Sequence, residues 1–330
     1  MKALFIGGSG VISSACSRLA VERGIDLVLL NRGHTARPIP EGAQIVRGDI
    51  RDRAAVERAL GATTFDVVVN WINFTPDQVE ADIELFRERT GQYIFISTAS
   101  AYQKPLSGLP ITESTPLHNP FWSYSRAKIA CEERLVRAYR EDGLPITIVR
   151  PSHTYDRTKV PLLGHYTALD RMRQGKRVIV HGDGTSLWVL THHEDFARGF
   201  VGLLGNHHAI GQAFHVTSDE VLTWNQIYTI LARAAGAEPQ MVHVPSELIA
   251  AFDAELGAGL LGDKAHSVIF DNTKIKRLVP GFAATIPFSQ GAREIVAWYD
   301  ADPARRVVDE RENRLFDTIL AACDAIRPAA

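Results

Sequence analysis

The chain has 330 residues, of which 45% are hydrophobic and 22% are charged, so its length and composition suit a globular protein with an ample core. Because the formal net charge is only −2, we expect neither nucleic acid nor an anionic membrane as a partner. The three cysteines are far apart and no Cys-X-X-Cys pair occurs, which argues against a disulfide framework and a thiolate zinc site. No apolar run suits a signal peptide or a membrane span, so we expect a cytoplasmic protein.

The N-terminal stretch has the order strand, glycine turn, helix. Ala3 to Ile6 predict a strand, Gly7 to Gly10 form the turn, and an amphipathic helix begins at Val11. This order places helix N-terminal amides against a pyrophosphate, with Gly7 allowing the tight turn and Gly10 a close approach. Ser13 stands where the fingerprint usually ends in a small residue, which departs from a clean glycine pattern. The pattern also occurs in purely structural turns, but its position at the start of the chain favours dinucleotide binding.

Strands and helices then alternate along the first half of the chain. We predict strands at Asp26–Leu30, Gln44–Arg47, Asp66–Asn70, Tyr93–Ile96 and Ile146–Val149, a turn-rich segment at Asn31–Gly42, and helices at Arg53–Leu60, Asp82–Arg89 and Tyr124–Arg140. Such alternation, with apolar and β-branched strands, is typical of an α/β fold of the Rossmann type, a doubly wound parallel sheet with helices on both faces. We therefore assign residues 1–150 to a dinucleotide-binding domain.

After Pro151 the alternation becomes less regular. We predict strands at Arg177–His181 and Gln212–Val216, helices at Trp224–Ala235, Glu247–Leu256 and Glu294–Asp300, and a largely polar helix within Asp302–Ala330 that has no obvious packing partner. We assign residues 151–330 to a smaller mixed domain that mainly binds substrate, with some segments rejoining the sheet.

Tyr124 and Lys128 stand four residues apart, on one face of a predicted helix. An ammonium group near a phenol favours the phenolate and lowers the phenol pKa from its ordinary value of about 10. Tyr124 is therefore a candidate general acid–base for a hydroxyl or a ketone, and Lys128 could also hydrogen-bond a ribose hydroxyl. The spacing alone also fits a solvated helix face, but Thr98 follows a core strand and can offer its hydroxyl to the same carbonyl oxygen.

These segments occur together in a recognisable order. Over about its first 200 residues the chain resembles the extended short-chain dehydrogenase/reductase superfamily, which contains NAD(P)-dependent sugar epimerases and dehydratases. The motifs that carry the resemblance are Gly7 with Gly10, the Gly48–Asp52 segment, the Ser97–Tyr102 segment, the Tyr124–Lys128 segment and the Arg150–Asp156 segment. The resemblance implies an epimerase or dehydrogenase that moves hydride to or from a carbinol or keto carbon of a sugar-like substrate.

The resemblance also implies roles for individual residues. Thr98, Tyr124 and Lys128 match the catalytic triad, and a homodimer built from helices of the large domain is expected. The cofactor-binding candidates are Gly7, Gly10, Val11, Ile12, Asn31, Arg32, Asp49, Ile50, Lys128, Pro151 and His153. The substrate-binding candidates are Trp71, Thr98, Tyr124, His153, Tyr155 and Trp188.

The segment from Asn70 to Pro76 departs from the better-known members. It resembles atypical members, among them the chloroplast stem-loop RNA-binding proteins. Trp71 and Phe74 fit a core or cleft wall, and substrate stacking is the alternative. The paired histidines, His192-His193 and His207-His208, lack the spacing of a metal site, so we expect no metal. A non-catalytic cofactor-binding protein with an RNA-associated role is the alternative function, but it would not need an intact catalytic triad.

The end of the second predicted strand bears on the choice between NAD and NADP. NAD-selective folds usually have Asp or Glu there, whereas this chain continues with Asn31 and Arg32. Arg32 could pair with a 2′-phosphate that no carboxylate repels, so we favour NADP. The alternative is an exposed arginine in a polar loop.

Two substitutions restrict the reaction and the substrate. In the 4,6-dehydratases of the family an Asp-Glu pair follows the catalytic Thr, whereas Ala99 and Ser100 follow Thr98 here, so elimination of water is not expected. Trp188 stands where many relatives have an Arg that reaches the substrate diphosphate. A Trp offers a flat apolar wall instead, which favours an uncharged or smaller sugar-like substrate over a nucleotide-diphosphate sugar. The alternative is a nucleotide-sugar epimerase with Trp188 in the core and Arg157, Lys159 or Arg173 at the phosphates.

Overall fold

The computed structural model describes residues 1–33 and 37–326. Residues 34–36 of the predicted turn segment and residues 327–330 of the predicted C-terminal helix lie outside the described residues. The strands are β1 Lys2–Ile6, β2 Asp26–Asn31, β3 Gln44–Arg47, β4 Val67–Asn70, β5 Tyr93–Ile96, β6 Ile146–Pro151, β7 His153–Tyr155, β8 Arg177–His181, β9 Leu187–Trp188, β10 Leu190–His192, β11 Gln212–Val216, β12 Leu222–Thr223 and β13 Gln240–Val244.

Helices connect most of these strands. They are α1 Val11–Glu22, α2 Arg53–Leu60, α3 Pro76–Phe86, α4 Ser123–Asp142, α5 His165–Arg173, α6 His193–Val201, α7 Trp224–Ala234, α8 Ser246–Phe252, α9 Ala254–Gly259, α10 Thr273–Leu278, α11 Phe288–Asp300 and α12 Glu310–Ile326. A π-helical turn spans Leu260–Lys264. Within the described ranges, no helix combines the length and the apolar character that crossing a membrane requires.

Seven strands form one parallel sheet in the order β11-β6-β5-β4-β1-β2-β3. Alternate side chains of β1 enter different apolar clusters, Ala3 and Phe5 on one face and Leu4 and Ile6 on the other. Both faces are covered by helices, which explains why the strands read as continuous apolar runs. The structure confirms the doubly wound parallel α/β fold predicted from the sequence.

The order of the strands determines where a ligand can bind. Strand β1 lies between β2 and β4, and the chain runs outward from it in both directions. Such a reversal leaves a crevice beyond the carboxyl ends of the strands. The residues that follow β1, β4 and β5, among them Gly7 and Thr98, therefore meet at one edge of the sheet.

The C-terminal part forms a third apolar cluster with three two-stranded ladders, β13 with β8, β10 with β7 and β12 with β9. Strand β11 instead pairs with β6 and completes the main sheet. The division of the chain at residue 150 stays a prediction.

Several helices differ from the sequence predictions, and α11 begins at Phe288, six residues before the predicted start at Glu294. Helix α3 begins at Pro76, six residues before the predicted start, because a proline at the first helical position has no amide hydrogen that needs a partner. The predicted helix Glu247–Leu256 is two helices, since Asp253 interrupts it and caps the second one through the amide of Leu256. The prediction that the C-terminal helix lacks a partner was wrong.

Helix α12 packs on the third apolar cluster through a narrow stripe. Phe316, Ile319 and Leu320 are at most 2% exposed and recur with helical spacing. The surrounding polar residues hide this stripe in the sequence. The helix is therefore part of the folded core.

We expect Phe316→Ala to lower the free energy of unfolding by about 3–5 kcal/mol, because it leaves a cavity under α12. Urea unfolding followed by circular dichroism measures the change. Arg314→Ala, at an exposed position of the same helix, is the control and is expected to stay within about 0.5 kcal/mol of the unmodified protein. A Phe316→Ala variant as stable as this control would contradict the packing of α12.

Candidate active site

The turn after β1 presents backbone groups to the crevice. Gly7 has φ +94°, and a Cβ there would lie 2.7 Å from the Ile72 side chain, so the position requires glycine. Gly10 precedes the first turn of α1, and among the described residues a Cβ there would meet only the Ser13 hydroxyl, at 3.2 Å. That hydroxyl accepts a hydrogen bond from the Gly10 amide at 2.6 Å, which explains the serine at the third fingerprint position. The first turn of α1, with Val11 and Ile12, thus suits a pyrophosphate.

The ends of β2 and β3 form the neighbouring part of the crevice. The side-chain amide nitrogen of Asn31 is buried and has no hydrogen-bond partner among the described residues, so it can donate to a ribose or phosphate oxygen. The exposed guanidinium of Arg32 lies 3.9 Å from the carboxylate of Asp49. The expectation that no carboxylate lies near Arg32 was wrong, because β3 pairs with β2 and brings Asp49 alongside. Ile50, which follows Asp49, packs against the apolar cluster that contains Leu4 and Ile6.

Lys128 lies one helical turn after Tyr124 in α4, but its ammonium group points to main-chain carbonyls. It donates hydrogen bonds to the carbonyl of Asn73 at 2.5 Å and to that of Ile96 at 2.8 Å. Its distance to the centre of the Tyr124 ring is 6.0 Å. Burial lowers the pKa of Lys128 to about 8.

The pKa of Tyr124 therefore differs from the value expected from the sequence. Burial raises its pKa to about 12, although its hydrogen bond with Thr98 opposes the rise. We expected Lys128 to lower this pKa. Its ammonium group bonds to the two carbonyls instead, and burial has the largest effect on the pKa of Tyr124. The phenol is thus protonated near neutral pH and is ready to donate a proton.

The Thr98 hydroxyl is part of a short chain of hydroxyl groups. It lies 3.0 Å from the Ser100 hydroxyl, which lies 2.7 Å from the Ser125 hydroxyl. Ser125 is in the first turn of α4, next to Tyr124. The chain thus fixes Thr98 relative to the helix that carries the phenol.

A cavity of about 600 Å³ opens in front of Thr98 and Tyr124. Pro151, His153 and Trp188 also line it, as the sequence predicted for substrate or cofactor contacts. The indole of Trp188 donates a hydrogen bond to Nδ1 of His153 at 3.1 Å. Burial holds the pKa of His153 far below its ordinary value, so the ring is neutral and its other nitrogen carries the proton.

Two predicted substrate residues do not line this cavity. Trp71 is half-buried and packs on Phe5 and Phe200, with ring centres 5.7 and 4.8 Å apart, which agrees with the core or cleft-wall position favoured from the sequence. Tyr155 is fully buried against Phe288. The prediction that Tyr155 contacts substrate was wrong, because its side chain in β7 turns toward packed helices. For Trp71 the alternative of substrate stacking finds no support at this cavity.

Other cavity residues were missed from the sequence. The ring of Trp122, which lines the cavity, lies 4.8 Å from that of Tyr124. Phe74, which the sequence suggested as a core or cleft-wall residue, is 43% exposed, and its ring centre lies 6.2 Å from that of Tyr124. Trp122 stands two residues before Tyr124, and this proximity in the sequence could have indicated that it lines the cavity. His181 and Lys264 also line the cavity, but no motif marks Lys264.

Comparison with known proteins agrees with this geometry. The family model described as the NAD dependent epimerase/dehydratase family matches residues 3–217. The 2'-dehydrokanamycin reductase of Streptomyces kanamyceticus is 27% identical over 288 residues, which are 86% of this chain and 80% of that protein. The chloroplast stem-loop binding protein of 41 kDa b of Arabidopsis thaliana is 28% identical, over 73% of this chain and 65% of that protein.

Solved structures share the fold. The UDP-glucose 4-epimerase of Thermotoga maritima, solved with UDP-glucose, has a TM-score of 0.73 at 20% identity, covering 91% of this chain and 99% of that chain. The dTDP-glucose 4,6-dehydratase of Bacillus anthracis, solved with NAD, has a TM-score of 0.71 at 18% identity, covering 92% of this chain and 98% of that chain.

The glycine turn can be tested with a matched pair of variants. We expect Gly7→Ala to weaken the binding of NADH and NADPH about tenfold or more, because the new methyl group strains the turn and displaces Ile72. Gly24→Ala carries similar backbone strain at φ +75° with no atom within 4 Å, and it should leave cofactor binding unchanged. Fluorescence titration measures both. Equal losses of cofactor affinity in the two variants would show that Gly7 is needed for the fold and has no specific part in cofactor binding.

Proposed function

The chain belongs to the NAD-dependent epimerase/dehydratase family and is an NAD(P)-dependent enzyme, and we propose that it transfers hydride at a keto or carbinol carbon of a sugar-like substrate with Tyr124 as acid–base. The observation that carries the proposal is the Tyr124 phenol, kept protonated beside Thr98 at the wall of the cavity. A protonated phenol suits the reduction of a ketone, in which the new alkoxide oxygen must receive a proton.

The chain's own residues have distinct parts in this reaction. When bound, the nicotinamide cofactor supplies the hydride to the carbonyl carbon. Tyr124 donates the proton to the carbonyl oxygen, and the Thr98 hydroxyl donates a hydrogen bond to the same oxygen. Ser100 and Ser125 orient Thr98. Lys128 holds the main chain on both sides of the site through its two carbonyl contacts.

We favour reduction or epimerisation over elimination of water. Ala99 and Ser100 follow Thr98 at the cavity wall, and neither side chain can exchange a proton near neutral pH. The similar proteins include reductases, 4-epimerases and 4,6-dehydratases, so the preference rests on Ala99 and Ser100.

The substrate that we propose is smaller than a nucleotide-diphosphate sugar. Trp188 is packed against Trp224 with ring centres 5.2 Å apart, so no guanidinium is available at this place for a diphosphate. Of the three basic residues considered as substitutes, Lys159 lines the cavity, whereas Arg173 pairs with Asp300 on the surface.

An RNA-associated binding protein is the second candidate. The similarity to the chloroplast stem-loop binding protein favours it. Thr98 and Tyr124 at the wall of a cavity favour the enzyme, because a protein that only binds RNA does not need them there. The homodimer and the cytoplasmic location stay predictions.

We expect Tyr124→Phe to lower turnover about 10²–10⁴-fold while fold and cofactor affinity are kept, because only the transferable proton is lost. Turnover is measured by the absorbance of the reduced cofactor with candidate keto sugars. Tyr139→Phe, an exposed position on the same helix, is the control and should turn over at the unmodified rate. A Tyr124→Phe variant as active as this control would refute the mechanism.

We propose NADP as the preferred cofactor, held by Arg32. Arg32→Ala should weaken NADPH binding about tenfold and NADH binding much less, since only NADPH carries the 2′-phosphate. Asp49→Asn should strengthen NADPH binding, because it removes the carboxylate near that phosphate. Arg23→Ala, at the far end of α1, is the control. A clear preference of the unmodified protein for NADH would contradict the proposal.

A further inference from the structure

The π-helical turn Leu260–Lys264 borders the cavity. Turns of this kind are rare and frequently occur at functional sites. The carbonyl oxygen of Lys264 accepts hydrogen bonds from three side chains of other segments, His181 at 3.0 Å, Trp224 at 3.2 Å and Ser186 at 3.4 Å. The end of the turn is therefore fixed to the C-terminal part of the fold.

The middle of the turn packs against the start of α4 and the segment after β5. The carbonyl oxygen of Gly262 accepts a hydrogen bond from the side-chain amide of Asn119 at 2.7 Å, and the same nitrogen donates to the carbonyl of Ser100 at 2.9 Å. A Cβ at Gly262 would lie 2.7 Å from the Cβ of Trp122, so this contact leaves no room for a side chain. Asp263, the next residue, is thus held beside the start of α4.

The carboxylate of Asp263 lines the cavity, and its side chain is 18% exposed. One of its oxygens lies 4.0 Å from Lys104 Nζ and the other 3.9 Å from Lys264 Nζ, and both distances are too long for a hydrogen bond. Lys104 is buried, and its nitrogen has no hydrogen-bond partner among the described residues. The two lysines therefore balance the charge of Asp263 without occupying its hydrogen-bonding capacity.

Asp263 shares this part of the cavity with the candidate acid–base. Burial is the main reason that the pKa of Tyr124 rises, the hydrogen bond with Thr98 opposes the rise, and the negative charge of Asp263 adds to it. The ring of Trp122, which also lines the cavity, lies 4.8 Å from the Tyr124 ring. A flat indole suits the C–H face of a sugar ring, and a carboxylate accepts hydrogen bonds from its hydroxyl groups.

Negative charge exceeds positive charge among the side chains that line the cavity. The carboxylates are Asp253, Glu255, Asp263, Asp309 and Glu312, and the ammonium and guanidinium groups are Lys159, Lys264 and Arg311. Burial raises the pKa of Glu312, and the charges of Asp309 and Asp253 add to the rise. This surplus of carboxylates repels a phosphate or an acid group. An ammonium group of a ligand would be repelled at Asp263 by Lys104 and Lys264, so hydroxyl groups suit Asp263 best.

We propose that Asp263 accepts hydrogen bonds from two neighbouring hydroxyl groups of an uncharged sugar-like substrate, whose ring packs on Trp122 in front of Tyr124. Asp263 is thus a substrate-binding residue that selects a polyhydroxylated ring over a phosphorylated or acidic one. The proposal rests on the function proposed above and assigns the residue that holds its uncharged substrate.

Calorimetric titration of the full chain, saturated with NADPH, tests the proposal without turnover, because a reduced cofactor cannot oxidise the hydroxyl groups of the probes. The uncharged probes are the methyl glycosides of glucose, galactose and mannose and their 2-deoxy and 3-deoxy forms. The charged probes are glucose 6-phosphate, glucuronate, UDP-glucose and glucosamine. We expect at least one uncharged glycoside to bind about tenfold or more tightly than every charged probe.

Asp263→Asn should weaken the binding of that glycoside about tenfold or more, because a charged acceptor is lost. Removing one hydroxyl group from the probe should then cost less affinity than in the unmodified protein. Glu238→Gln is the control, since Glu238 also lies near a cation, 3.7 Å from Arg233, but does not line the cavity. Asp263→Asn combined with Lys104→Met removes both buried charges, so it should keep thermal stability while glycoside binding stays weak.

Several outcomes would overturn the proposal. They are the absence of binding by every uncharged glycoside, tighter binding of any charged probe, and unchanged glycoside binding in Asp263→Asn. Glycoside binding that depends on Asp263, together with full activity of Tyr124→Phe, would support the site and refute the proposed mechanism. Glycoside binding that does not depend on Asp263, together with lost activity in Tyr124→Phe, would refute the site and support the mechanism.

Discussion

The buried ammonium group of Lys128 joins the segments that meet at the front of the sheet. It bonds to the carbonyl of Asn73 after β4 and to that of Ile96 at the end of β5, while its own helix carries Tyr124. An ammonium group at 2% exposure is tolerated only with such partners. The position of the phenol relative to the sheet depends on this contact.

The segment after β4 is held in turn by a buried carboxylate. Asp82 accepts hydrogen bonds from the side chains of Asn70, Asn73 and Tyr93, at 2.5, 2.8 and 2.6 Å. Burial raises the pKa of Asp82 to about 6, although these three contacts oppose the rise. The unusual Asn70–Phe74 segment is therefore fixed by its own polar network and places both the Asn73 carbonyl and Phe74 beside α4.

A second buried network lies one helical turn further along the same face of α4. Glu132 accepts hydrogen bonds from Ser97 at 2.5 Å and from Arg150, whose Nε lies 3.0 Å away. Ser97 immediately precedes Thr98, and Arg150 precedes Pro151, so residues on two strands are tied to one helix face. Charge burial in this protein thus serves to position side chains around the cavity, and the lysines near Asp263 are the charges that remain without full partners.

The sequence alone was sufficient for the parallel sheet and the glycine turn, because each depends on spacing within one element or on the fixed geometry of strand ends. The catalytic roles of Thr98, Tyr124 and Lys128 stay a prediction, although the structure brings Thr98 and Tyr124 to one cavity wall. It could not show that Asp49 lies beside Arg32, since that depends on which strands pair. It also could not show whether Trp71 enters the core, or that polar α12 packs through Phe316. Lys264 lies near the ring of Trp122 only through tertiary packing, because the two lie far apart in the chain and no local pattern encodes their contact. Local physics therefore determined the elements and their chemistry, and long-range packing decided the pKa of Tyr124 and the charge of the cavity.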